Sequence, residues 1–368
     1  MGEDMNRDVT KKDILLHYFS TVILYLLIYF AVLLCPAYYN NITNDKIDYS
    51  VILGFFFVGY VLIAPLVYGI FKPKSVLESR SLSIIGYIKR QFKKGLTTQE
   101  YLNNLAPTEK EKQSMMIVFM QTFFATFSAH MLCETYIPNL SYNLDFIHVM
   151  FQQAMLDISK LGIWAGLIQF IVDTGDVLLK IIFTITTLVF LVSYLSDTTV
   201  FKNKIKSIDT TPLGVFSCLC CYYPVTIFTY SFIRVTEQTL MPVENTTLLA
   251  ILNLIVILAN LGSLIAILRL GTKAGNLTNR GIVTGFPYNI IRHPDYTMQI
   301  IFIITTTIPL MLISQYGIVE KIMMLLTTLV WIYIYYLRAV TEERHLIQDP
   351  EYQQYVEKVK YRFIPKVF

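Results

Sequence analysis

Two short polar runs, Arg292-His293-Pro294-Asp295-Tyr296 and Glu342-Glu343-Arg344-His345, lie about fifty residues apart, each beside a long apolar stretch, with Tyr352, Tyr355 and Arg362 soon after. Guanidinium, imidazole, carboxylate and phenol at this density put charge where lipid should be. Polar groups at the edge of lipid must be satisfied by protein, water or ligand, which makes this region the candidate functional site. The elements that would position these residues can be read from the residues around them. Pro294 suits the first turn of a helix, where a missing N–H costs nothing, and that leaves Arg292 and His293 at the positive helix end, where an anion would be held. Upstream, Gly271, Gly275, Asn276, Asn279, Gly281, Gly285 and Pro287 interrupt any helix, while Ile282 and Val283 form an apolar tether, so Gly271–Tyr296 reads as a connector long enough to fold over a ligand. Downstream, two apolar segments separated by Ser314-Gln315-Tyr316-Gly317 predict a helical hairpin that returns Arg338 and Thr341–His345 to the face carrying Arg292. Tyr and Arg after a last span often serve only as interfacial anchors, as Tyr333, Tyr335, Tyr336 and Arg338 would. Convergence of the two runs distinguishes this case.

Of the 368 residues 54% are hydrophobic, gathered in blocks of about twenty, with 25 Tyr, 24 Phe and 2 Trp. This predicts an all-α, polytopic membrane helix bundle. Strong spans are expected at Ile14–Leu34, Val51–Phe71, Val177–Leu195, Leu248–Leu268 and Ile318–Leu337, and weaker ones at Met115–Ile137, Gly214–Ile233 and Met298–Ile313. Gln152, Gln153, Asp157 and Lys160 break Phe146–Val172 into amphipathic pieces. Reading that stretch as an interfacial or re-entrant helix gives about eight crossings and puts every basic loop inside: Lys72–Lys112, Lys202–Lys206, and Lys273 with Arg280 and Arg292. Both termini are then cytoplasmic. The polar start, Met1–Lys12, with no small-residue cleavage site after it, predicts a first span rather than a cleaved signal peptide. Sequons at Asn41, Asn139 and Asn245 fall on the outer side, a pattern too common to establish glycosylation. Polar residues scatter before about Leu270 and concentrate after it, which divides the chain into an N-terminal membrane scaffold, 1–245, and a C-terminal functional module, 246–368.

The net charge of +4 is small and its basic residues sit between spans, so no nucleic-acid surface is expected. The five cysteines (Cys35, Cys133, Cys218, Cys220, Cys221) lie in apolar surroundings without paired metal spacing, and His17, His130 and His148 are dispersed. No metal is expected. Glu134 and Asp157 are carboxylates near membrane depth and read as interfacial groups.

The series Gly281-Ile282-Val283-Thr284-Gly285-x-Pro287-Tyr288-x-x-x-Arg292-His293-Pro294-x-Tyr296, then Arg338-Ala339-x-Thr341-Glu342-Glu343-Arg344-His345-Leu346, then Asp349-Pro350-x-Tyr352-x-x-Tyr355, resembles the C-terminal half of the isoprenylcysteine carboxyl methyltransferase and phospholipid methyltransferase superfamily. It covers roughly the last ninety residues. The resemblance implies that connector and returning helix enclose S-adenosylmethionine, with His293, Pro294 and Tyr296 lining its pocket and Glu342 and Glu343 engaging its amino or ribose groups. Arg292 or the helix N-terminus would suit its carboxylate, and Tyr288, Tyr296, Tyr352 and Tyr355 its sulfonium. It also implies in-line methyl transfer to a lipidic or prenylated acceptor met in membrane lipid. Arg338 or Arg362 could hold an acceptor carboxylate; for a phospholipid head-group amine, Glu342, Glu343 or His345 is the candidate base. Thr297, Met298 and Gln299 follow the H-P-x-Y run where the family has a small residue, and Phe286 stands where glycine is common, departures that bear on the acceptor. Two other classes compete: an NADPH-dependent membrane sterol reductase with similar C-terminal residues, and a non-enzymatic lipid-binding or transport scaffold.

Overall fold

The computed structural model describes residues 7–34, 49–92, 105–222, 225, 245–312 and 317–367. In chain order its helices are α1 (Lys11–Leu33), α2 (Tyr49–Phe71), α3 (Arg80–Gln91), α4 (Glu109–His130), α5 (Ile137–Leu161), α6 (Ile163–Leu195), α7 (Pro212–Leu219), α8 (Thr246–Leu270), α9 (Pro294–Leu312), α10 (Ile318–Leu346) and α11 (Pro350–Lys358). A π turn, Met131–Tyr136, follows α4. The all-α expectation holds apart from one antiparallel pair of two-residue strands, β1 (Ser207–Ile208) and β2 (Thr278–Asn279).

Helix ends follow local chemistry. Thr10 with Asp13 and Thr108 with Glu111 form capping boxes at α1 and α4, each side chain satisfying a first-turn N–H of the other's backbone. Asn245 caps α8, and Asp349 caps α11 just ahead of Pro350. Gly271 ends α8 at φ 55°, a left-handed conformation that glycine adopts without strain.

Among the described residues six helices are long and apolar enough to cross a membrane: α1, α2, α4 with its π turn, α6, α8 and α10. The chain is an integral, multi-pass membrane protein. Two further spans were expected. Met298–Leu312 of the first falls in α9, which is not among the six, and Ile313 lies outside the described residues. Gly214–Ile233 begins in α7, and half of it lies outside the described residues. Phe146–Val172 is not one helix: Gly162, at φ 86°, separates α5 from α6, and Ile163–Val172 runs on into the expected span at Val177. Polar residues misled here, because the break is made by a glycine that hydropathy does not register.

Two compact units are present, residues 1–134 with 190–210 and 278–280, and residues 135–189 with 211–277 and 281–368. In the first, α1 packs on α2 and α3, and α3 on α4. Its interior is partly polar: the His17 ring meets Ser79 Oγ at 2.8 Å and the Tyr68 hydroxyl at 3.0 Å, and an ion pair joins Arg80 to Asp197. In the second, α8 packs on α9, α9 on α10 and α10 on α7. Ala266, Tyr288, Tyr352, Tyr355 and Val359 form one of its cores, and Cys220, Trp331 and Ile334 another.

Candidate functional site

All the residues singled out for chemistry belong to the second unit. Pro294 opens α9, as its ring geometry predicts. At 1.5 Å per residue the 29 residues of α10 extend ~44 Å, beyond a hydrocarbon core of ~30 Å, so its charged last turns need not lie in lipid.

The residues fall into three groups. The first centres on Glu343, whose side chain is 13% exposed. Its Oε1 accepts from Arg292 Nε at 2.7 Å and from His293 Nε2 at 3.0 Å, and its Oε2 accepts from Arg362 at 2.6 and 3.1 Å. Arg292 also donates to the carbonyls of Val359 and Lys360 at 2.9 and 2.6 Å. The backbone N–H groups of Arg292 and His293 donate to Tyr361 and Arg362 carbonyls at 2.9 and 3.0 Å. Residues 359–363 are thereby strapped across the start of α9. A carboxylate this enclosed is tolerable because both oxygens receive charge-assisted bonds, and two guanidiniums against one carboxylate leave the cluster electropositive. Hydrogen bonding to Glu343 holds the Arg362 guanidinium above its ordinary pKa.

In the second group, Glu342 Oε2 accepts from the Tyr296 hydroxyl at 2.9 Å and stands 3.9 Å from His293 Nδ1. The His293 and Tyr296 rings stack, 5.3 Å apart and 4° from parallel. Arg338, 8% exposed, lies over the rings of Tyr296, Tyr335 and Tyr222 at 5.0, 5.7 and 6.0 Å. Its Nη2 donates to Asn276 Oδ1 at 2.7 Å, and Asn276 Nδ2 donates to the Tyr222 hydroxyl at 3.2 Å. Ser217, Cys218, Asn276, Leu277, Tyr296, Arg338, Thr341 and Glu342 line a narrow cavity of ≈ 10 Å³, about the room one water needs. Asp295 faces elsewhere, accepting from Ser263, which in turn accepts from Gln299 at 3.3 Å.

The third group is the aromatic core of Tyr288, Tyr352 and Tyr355, in which the Tyr355 hydroxyl donates to the Tyr288 carbonyl at 2.6 Å. Burial pushes all three phenols above their ordinary pKa. They pack behind the charged clusters and do not line the cavity. Arg344 donates to Thr211 at the start of α7. Sequence reasoning gave no role to Ser217, Cys218, Tyr222 or Asn276; Asn276 was read only as a turn residue beside Gly275.

Fold and geometry together describe a multi-pass helical membrane protein with a cluster of charged and aromatic side chains where its last long helix returns to the connector. Residues 245–348 match the Isoprenylcysteine carboxyl methyltransferase (ICMT) family, which bears out the superfamily resemblance over that segment. No curated protein and no solved structure matches the chain. The matched segment holds Asn276, Tyr288, Arg292–Tyr296, Arg338, Glu342 and Glu343, whereas Ser217, Cys218, Tyr222, Tyr352, Tyr355 and Arg362 lie outside it.

Proposed function

We propose that the chain is an integral membrane methyltransferase that uses S-adenosylmethionine to methylate the carboxylate of a prenylcysteine-type lipidic acceptor. The family match supports the reaction class, and Arg338 carries the choice of acceptor. Among the described residues this buried guanidinium makes one hydrogen bond, to a neutral amide, and no ion pair. Its remaining N–H groups are available to an anion.

S-adenosylmethionine brings an electrophilic methyl on a sulfonium, with an ammonium and a carboxylate beyond it. The chain's residues suit these groups. Glu342 has Oε1 uncommitted among the described residues, fit for the ammonium or ribose hydroxyls, and the stacked His293 and Tyr296 rings offer π faces to the sulfonium. The positive excess around Arg292 favours the cofactor's carboxylate. Since the cavity is far smaller than either ligand, binding requires its lining to open. An acceptor carboxylate held by Arg338 would attack in line: an O–CH3 bond forms, the C–S bond breaks with its electron pair staying on sulfur, and a methyl ester and S-adenosylhomocysteine result. No proton has to leave, so alignment and exclusion of water supply the acceleration. An amine acceptor would need a base, and of the three candidates Glu343 is tied by three side chains, which leaves Glu342 and His345 for that role. The basic loops favour cytoplasmic termini, with cofactor arriving from that side and acceptor from the bilayer.

The test is calorimetric titration of the protein in lipid nanodiscs with S-adenosylhomocysteine, and transfer of labelled methyl to N-acetyl-S-farnesylcysteine, read as a base-labile ester. Saturable binding and ester formation are expected. Stabilisation by NADPH with no response to S-adenosylhomocysteine would replace this reading with a hydride-transfer enzyme.

A further inference from the structure

We propose that Tyr222 and Asn276 form a positioning relay that fixes the Arg338 guanidinium as a clamp for the acceptor's carboxylate, and so make the site select anionic over amine acceptors. The inference rests on the methyltransferase reading above.

A buried cation is costly unless something compensates it, and carboxylates are the usual compensation. Here, among the described residues, no carboxylate pairs with it directly: Glu343 is paired with Arg292, His293 and Arg362, while Glu342, bonded to Tyr296, and Asp295, bonded to Ser263, act on Arg338 only through space. Arg338 is held instead by a neutral amide oxygen and three aromatic rings, which orient a guanidinium without cancelling its charge. The guanidinium thus keeps donors for a ligand's carboxylate.

Asn276 can do this only with its oxygen toward Arg338, because the flipped amide would set N–H against N–H. Tyr222 fixes that choice. Its hydroxyl accepts from Asn276 Nδ2 while its ring lies under the same guanidinium, so one side chain sets both the amide and the plane that Arg338 occupies. Tyr222 lies just past α7, outside the segment that matches the family, as do Ser217 and Cys218 on the cavity wall. The N-terminal part of the chain therefore completes the site.

The experiment compares wild type, Tyr222→Phe and Asn276→Asp in nanodiscs. Kinetics are measured with N-acetyl-S-farnesylcysteine and with phosphatidylethanolamine as acceptors, alongside S-adenosylhomocysteine affinity and melting temperature. Tyr222→Phe removes one acceptor atom next to a charge-assisted contact, and KM for the farnesylcysteine is expected to rise about ten-fold. Asn276→Asp is expected to raise it further, since an aspartate would neutralise the clamp, without lowering the melting temperature. Cofactor affinity should stay at the wild-type value in both. Unchanged KM in the folded variants overturns the relay, as does a joint fall in melting temperature and in both affinities, the mark of a merely structural role. Preferential methylation of phosphatidylethanolamine by the wild type overturns the selectivity. A wild type that neither binds S-adenosylhomocysteine nor transfers methyl overturns the methyltransferase reading itself, a result separable from the others because it precedes any variant.

Discussion

Glu342 and Glu343 are adjacent in the chain, but a helix turns about 100° per residue, so their carboxylates reach different partners. Glu343 is consumed by Arg292, His293 and Arg362, while Glu342 keeps one oxygen open beside the cavity. The two should separate by experiment. Glu343→Gln leaves two guanidiniums without their counter-ion and is expected to destabilise the protein by about 3 kcal/mol, read by thermal unfolding in nanodiscs. Glu342→Gln should leave the unfolding temperature unchanged and weaken S-adenosylhomocysteine binding about ten-fold, read by titration. At Arg338 a lysine keeps the charge but loses the planar fork that lies over three tyrosine rings. Arg338→Lys is expected to lower kcat/KM for a carboxylate acceptor about 100-fold, with unfolding little changed.

Among the elements, the strap formed by residues 359–363 is the one whose role the sequence concealed. Tyr361 and Arg362 accept backbone bonds from Arg292 and His293, pinning the N-terminal turn of α9 where the charged cluster begins. Truncation after Lys358 should therefore expose the Arg292 and His293 amides, and hydrogen exchange there should become much faster than in the intact chain. The junction of α5 and α6 is a second case. A Cβ on Gly166 would sit 2.6 Å from the Ile158 backbone nitrogen, contact with main chain that no side-chain rotation can relieve. Gly166→Ala is expected to cost about 2 kcal/mol and to lower the unfolding temperature, whereas Gly86→Ala, where a Cβ meets open space, should not. Element ends marked by proline or glycine were legible in the sequence, as at Gly271 and Pro294. So was the convergence of Arg292 and His293 with Glu343, which a helical hairpin enforces. The role of Asn276 was not, because its local signal is that of a turn former and its partner Arg338 lies 62 positions away. Nor could the sequence say which glutamate faces the cavity, since both carry the same charge and differ only in helical phase.

At the scale of the whole molecule, the chain is made to live in lipid. Large apolar side chains such as Phe55, Leu62, Ile70, Trp164 and Ile318 stand well exposed, surface that water would penalise and acyl chains would cover. Helices of this kind would keep the proposed lipidic acceptor dissolved in the same medium as the protein, so its effective concentration would be its share of the surrounding bilayer and not its amount in the bulk suspension. S-adenosylmethionine, charged and soluble, obeys the bulk concentration. The two substrates should therefore separate under dilution with inert phosphatidylcholine. Adding that lipid at fixed total acceptor should raise the apparent KM for N-acetyl-S-farnesylcysteine in proportion to the lipid added, with KM for S-adenosylmethionine constant. Initial rates across a series of lipid-to-protein ratios measure both. An acceptor KM that tracks bulk concentration instead would mean that the acceptor reaches Arg338 from water, and that the exposed apolar helices serve anchorage alone.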